Sequence, residues 1–222
     1  MKIIARIQTD YKEKFGIPRQ SGLVKECRGK IIFEKEYRVA EAFRGLEEFS
    51  HIWLIWQFSE AVRETWSPTV RPPLLGGNKR VGVFATRSPF RPNSIGLSCV
   101  KLEKIEFSKT DGPVLHVLGA DLMNNTPIYD IKPYLPYADS YPDAVGGFTE
   151  HLGERKLSVE IETESFYRLP ENLQKEIICV LSHDPRPSYR DDDKTYCMKD
   201  NEYEIKFRVT NKTLTVIAAT KL

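Results

Sequence analysis

Arg87 and Arg91 stand in the stretch ATRSPFRPN, and the chain around them is suited to holding a guanidinium still. Pro89 and Pro92 fix φ and push the residue before each into extended geometry, so the bend is stiff. A pre-set backbone lets a planar, many-donor guanidinium meet phosphate, carboxylate or base with little ordering cost. No acidic residue intervenes between Glu64 and Glu103, whereas Arg71, Lys79, Arg80, Arg87, Arg91 and Lys101 are all basic. That pattern weakens the reading of a structural loop neutralised by local acids and favours anion binding, although charge alone leaves both open. Other chemistries leave less trace. Cys27, Cys99, Cys179 and Cys197 show no CxxC spacing and the four histidines no HExxH pair, which fits reduced thiols better than disulfides or zinc. No cysteine shares a motif with histidine, so a cysteine-dependent enzyme is a poor reading. Gly76-Gly77 lies in a Pro-rich loop and not between strand and helix, so no dinucleotide-type glycine turn is present.

The elements that must position the arginines are short and mostly extended. Val81 to Thr86 is apolar and partly β-branched, which predicts a buried core strand leading into the bend, and Ile95 to Phe107 predicts a long strand leaving it. Ahead of them, Trp66 to Asn78 reads as a long loop, because its prolines and glycines exclude regular structure. Ile52 to Phe58 is a short, strongly apolar run and reads as a buried strand with Trp53 and Trp56 in the core and a structural His51 at its edge. Further strands are expected at Ile3 to Ile7, Lys30 to Phe33, Val114 to Leu118 and Ile128 to Lys132, with a helical turn or two in Val39 to Glu47. Asn124-Asn125-Thr126-Pro127 is turn chemistry, since Asn tolerates positive φ, and Pro133 to Tyr137 reads as an extended segment closing this region. Many short strands with little helix argue for a barrel or a sandwich.

Gly146-Gly147 marks a boundary. Beyond it come a strand at Lys156 to Glu162 and a helix at Glu171 to Leu181 with apolar residues at 173, 177, 178 and 181. A hairpin follows, in which Tyr203, Ile205, Phe207 and Val209 alternate with charge and Leu214 to Ala219 pairs back across Asn211-Lys212. With 222 residues and a net charge of +2, the chain can bury a sizeable core, and any nucleic-acid contact must come from a local patch. No apolar run reaches the length of a membrane span, and MKIIARIQTDYKEK lacks the features of a signal peptide. A soluble, cytoplasmic protein without a membrane partner is expected.

GVFATRSPFRPN, together with GADLMNNTPIYDIKPYLPYADS downstream, resembles the signature of the TrmO family of tRNA methyltransferases, which methylate N6 of threonylcarbamoyladenosine at position 37. PRQSGLV, FSHIW, TVRPPLLGGN and DPRPSY extend the resemblance over essentially the whole chain, in order. It implies a mainly β protein with an α+β appendage: an N-terminal β-barrel domain over residues 1–145 and a small α+β domain over 146–222 that recognises the tRNA. It also implies S-adenosylmethionine as methyl donor and a homodimer with active sites near the subunit interface. By the same resemblance the donor contacts fall on Pro18, Arg19, Gln20, Ser59, Glu60, Arg87, Leu97, Asp121, Leu122, Met123 and Asn124. The family more often has Asp-Gly where this chain has Asn124-Asn125, so the resemblance implies the bend but leaves the side-chain contacts of that loop open. Methyl transfer from a sulfonium chiefly needs alignment and exclusion of water, with removal of a proton from the acceptor nitrogen, for which Asp130 and Asp184 are candidates. Arg91, Lys132, Arg186 and Tyr189 are expected to meet RNA, Arg186 on a loop braced by Pro185 and Pro187. A non-catalytic RNA- or nucleotide-binding module remains the alternative.

Overall fold

The computed structural model describes residues 1–150, 156–186, 194–200 and 202–222. The first half alternates short strands with polar and proline-rich connections: β1 (Ala5–Gln8), β2 (Arg28–Phe33), β3 (His51–Gln57), β4 (Thr69–Val70), β5 (Val81–Gly82), β6 (Ile95–Ser108), β7 (Gly112–Leu118) and β8 (Pro127–Pro133). Six of these close into a barrel in the order β1-β2-β7-β6-β3-β8, all neighbours antiparallel, with β8 returning to β1. Period-two alternation decides what fills it: Ile52, Leu54 and Trp56 of β3 point inward with Val100 and Leu102 of β6, against Ile7, Ile31, Leu115, Val117 and Ile128. The inward row of β6 also contains a buried serine, Ser98. The expected strands recur within a residue or two.

Four expectations fail here. Trp53, expected in the core beside Trp56, is half-buried on the other face of β3, where its Nε1–H donates to Asp139 Oδ2 at 3.0 Å. The stretch 66–78, expected to lack regular structure, contains β4 and a 3-10 turn at Pro73–Leu75. Val81 to Thr86 is not a core strand: only β5 is extended, paired with β4 as a two-stranded ribbon outside the barrel, and Val83–Ala85 then turns as a 3-10 helix. Of this run Val83 is buried and Phe84 is exposed. The partner strand is a dipeptide hemmed in by Pro68 and Pro72, so there is no ladder to extend, and Thr86 closes the turn by donating both N–H and Oγ1–H to the Val83 carbonyl. Pro133 to Tyr137 likewise does not stay extended, since α1 (Pro136–Asp139) begins with Pro at its first position.

The second half contains β9 (Ser158–Ile161), α2 (Glu164–Tyr167), α3 (Glu171–Ser182), β10 (Tyr196–Asp200), β11 (Tyr203–Thr210) and β12 (Thr213–Lys221). Its sheet runs β10-β11-β12-β9, with β9 parallel to β12. Asn211 and Lys212 both take positive φ, the two-residue geometry that matches strand twist in a tight hairpin. Helix α3 buries Leu173, Ile177, Val180 and Leu181 against this sheet, whereas Ile178, expected inside, is part-exposed. The second core also takes in Tyr11, Val24 and Cys27 from the segment between β1 and β2. That segment therefore belongs to both halves.

Candidate active-site cleft

A cleft of about 580 Å³ opens at one rim of the barrel. One wall is the segment between β1 and β2, with Lys14, Ile17, Pro18, Arg19 and Gln20; another is the end of β3 and the turn after it, with Trp56, Gln57, Phe58, Ser59 and Glu60. Thr86, Arg87, Pro89, Phe90 and Arg91 form the third, and Ile95–Leu97, Asp121, Met123 and Thr126 complete it. Backbone bonds lock these pieces together: Phe58 N–H donates to the Ser94 carbonyl at 2.8 Å and Arg91 N–H to that of Pro89 at 2.9 Å. Lys14 Nζ donates to the Glu60 carbonyl at 3.0 Å.

A polar relay leads up to the cleft from the barrel interior. Trp56 Nε1–H donates to Ser98 Oγ at 2.9 Å, and Ser98 Oγ–H donates to Asp121 Oδ1 at 2.6 Å. Burial raises the Asp121 pKa, and the Ser98 hydrogen bond and the Arg87 charge oppose that rise without cancelling it. Gly96 is required where the Trp56 indole crosses β6, since a Cβ there would collide with the ring.

A second relay runs to the small domain. Arg87 Nη1 donates to Gln20 Oε1, and Arg19 Nη2 donates to the carbonyls of Asp184 at 2.9 Å and Arg186 at 2.6 Å. Arg186, expected to face RNA from a loop, is instead 5 % exposed, and its Nε and Nη2 bond both oxygens of Asp184 at 2.9 and 3.1 Å. A guanidinium buried on a carboxylate stabilises its own turn, here one with positive φ at Asp184, and would leave a buried charge if it swung out.

Nine of the expected donor residues meet in the cleft: Pro18, Arg19, Gln20, Ser59, Glu60, Arg87, Leu97, Asp121 and Met123. Two do not. Leu122 is buried in the barrel core and its carbonyl accepts from Thr9 Oγ1 at 3.0 Å, while Asn124 Oδ1 accepts the Thr9 N–H at 3.1 Å. Both candidate bases also lie outside the lining: Asp184 is held by Arg186, and Asp130 pairs with Lys132 at 2.8 Å on β8. Arg91 lines the cleft, Lys132 does not, and Tyr189 lies outside the described residues. Trp56, assigned only to the core, also walls the cleft, as do Phe58 and Phe90. Sequence reasoning missed them; the signal that could have found them is the aromatic end of the apolar run before Ser59 and the phenylalanine between the two prolines of the stiff bend.

Known proteins place this arrangement. The profile of the tRNA-methyltransferase O N-terminal domain matches residues 6–140, and that of the TrmO C-terminal domain matches 154–222. The chain belongs to the TrmO family. A tRNA (adenine(37)-N6)-methyltransferase of Escherichia coli is 43% identical over 97% of this chain and 95% of its own length, and one from Eikenella corrodens is 46% identical over 72% of this chain and 91% of its own. The crystal structure of TrmO from Pseudomonas aeruginosa superposes with a TM-score of 0.79 at 31% identity, covering 99% of this chain and 95% of that one. Within the TrmO family, then, the rim of a closed barrel is where the motif residues of this chain converge.

Proposed function

We propose that this chain is an S-adenosylmethionine-dependent tRNA (adenine(37)-N6)-methyltransferase acting on threonylcarbamoyladenosine. The observation that carries the reading is the convergence of three separate family motifs, those around Pro18, Arg87 and Asp121, with the turn at Ser59 and Glu60 after β3, on one cleft. The cleft has the size of a small-molecule site, and its lining suits an amphipathic zwitterion. Phe58, Phe90, Leu97 and Met123 offer apolar and aromatic surface to a base and a sulfonium, Arg19 and Arg87 offer donors to a carboxylate, and Asp121 and Glu60 offer acceptors.

S-adenosylmethionine, when bound, supplies a methyl group already activated on sulfur. The chain's part is alignment, dehydration and proton removal. Arg87 is held on its stiff bend by Gln20, and the apolar walls keep water from the reacting centre. The acceptor nitrogen must lose a proton, and among the described residues lining the cleft only Glu60 and Asp121 carry carboxylates. Asp121, buried at the head of the Trp56–Ser98 relay and with its pKa raised by that burial, takes the role first assigned to Asp130 or Asp184. The barrel region, residues 1–145, carries this chemistry and residues 146–222 recognise the tRNA, in a homodimer working in the cytoplasm with active sites near the subunit interface. Among the described residues no helix is long and apolar enough to cross a membrane. Purified protein incubated with S-adenosylmethionine and tRNA carrying threonylcarbamoyladenosine should yield its N6-methyl form at position 37 by nucleoside mass spectrometry. Donor and RNA binding without any methylated nucleoside would leave the non-catalytic binding module as the better reading.

A further inference from the structure

Beside the cleft but outside its lining, the β4–β5 ribbon ends in two exposed aromatic rings. Trp66 lies just before β4 and Phe84 just after β5, and the antiparallel pairing, extended by Val83 N–H donating to the Pro68 carbonyl at 2.9 Å, brings them together. Their centroids are 6.1 Å apart at an interplanar angle of 29°. Trp66 is 50 % and Phe84 72 % exposed, so a stacked pair is left facing water. The Arg91 guanidinium lies 5.9 Å from the Phe84 centroid, and Arg63 lies 3.7 Å over Phe90 next to it.

The surroundings decide what such a face would bind. The loop at the far end of the ribbon carries Arg71, Lys79 and Arg80, and the nearest acids in sequence are Glu64 and Glu103. Among the described residues none of these cations, nor Arg63 or Arg91, forms an ion pair. Flat aromatic faces rimmed by uncompensated guanidiniums match a nucleobase on its phosphate backbone, the ring stacking while the cations meet phosphates. A second copy docking here across a two-fold axis would set the same cations against themselves. Exposed Tyr137, Tyr141 and Val145, flanked by Asp139 and Asp143, offer a copy a less basic face.

We propose that Trp66 and Phe84 form a stacking platform for an unpaired loop base of the RNA substrate, a base other than the one that enters the cleft. This rests on the reading of the chain as a tRNA methyltransferase and names how that site holds its substrate. The test uses the full chain and an anticodon stem-loop RNA with 2-aminopurine placed in turn at each unpaired position. One position should be quenched on binding, and Phe84→Ala should abolish that quench and weaken RNA affinity about tenfold or more, while donor affinity by calorimetry stays within about twofold. Phe84→Leu, which keeps the apolar bulk but loses the π-face, should behave like Phe84→Ala. Unchanged RNA affinity in Phe84→Ala overturns the platform, and so does a dimer that dissociates in Phe84→Ala on sedimentation, which would make this face a contact between copies. Failure of the parent chain itself to methylate tRNA would count against the functional reading instead, since the fluorescence assay reads stacking without turnover.

Discussion

Asp121 shows how one side chain can be tuned by where its neighbours sit. Its carboxyl caps the Trp56–Ser98 relay at the barrel's inner rim, and burial outweighs the hydrogen bonds that favour its charged form. A base with a raised pKa is protonated, and idle, over more of the acid range, so activity should fall with pH at a point above the ordinary carboxylate range. The acid limb of the kcat/KM profile should therefore sit high in the parent chain, and Asp121→Asn should lower kcat by about a hundredfold while removing that limb. A variant that kept both rate and limb would place the base elsewhere. Ser98 has a different part: it satisfies the buried indole N–H, and a serine on an inward barrel position was the one polar interruption of an otherwise apolar row.

Among the elements, β6 is the one that both fills the barrel and starts at the cleft. Gly96 lets the Trp56 ring lie flat against its backbone, so Gly96→Ala must displace that ring from both the core and the cleft wall. The substitution should cost on the order of 2 kcal/mol in denaturant titration and weaken donor binding at least about fivefold, whereas Gly76→Ala, with open space around it, should leave the donor affinity alone and lose only what positive φ costs. Elements with a long regular pattern were legible in the sequence. The alternation from Tyr203 to Val209 and the apolar spacing of α3 needed no tertiary information, and the barrel strands lay where β-branched runs met Gly and Pro. What was not legible depended on partners: Val81 to Thr86 has the composition of a strand but faces a dipeptide, and Arg186 sits between prolines like an exposed loop arginine but finds Asp184 beneath it. The motif residues of the cleft were found through family resemblance, since no local pattern announces that Pro18, Ser59 and Asp121 meet.

At the scale of the molecule the two cores share a segment. Tyr11, between β1 and β2, sends its hydroxyl into the second core, 2.8 Å from Cys27 Sγ and 3.1 Å from Glu176 Oε1, and Asp200 is buried nearby with no hydrogen-bond partner for its carboxyl among the described residues. Burial, reinforced by the charge of Asp200, pushes Glu176 up to about 7, and burial with Asp10 nearby pushes Asp200 up to about 7. Both groups then hold protons in the folded chain that the unfolded chain has released, so stability should fall as pH rises from about 4 to about 7 and stay low above it. Asp200→Asn should raise stability at pH 8 by on the order of 2 kcal/mol and do little at pH 4, read from urea midpoints at the two pH values. An equal shift at both pH values would mean that packing, not charge, is at stake. The same whole-molecule view gives the long strand another meaning. β6 runs unbroken in sequence from the cleft at Ile95 to Ser108, where the hairpin to β7 turns through exposed Lys109 and Thr110. At about 3.4 Å per residue it puts that tip roughly 45 Å of strand away from the chemistry. For anyone wishing to tether the enzyme to a bead, hang a dye on it or splice in a peptide tag, this hairpin is a handle the reaction should not feel.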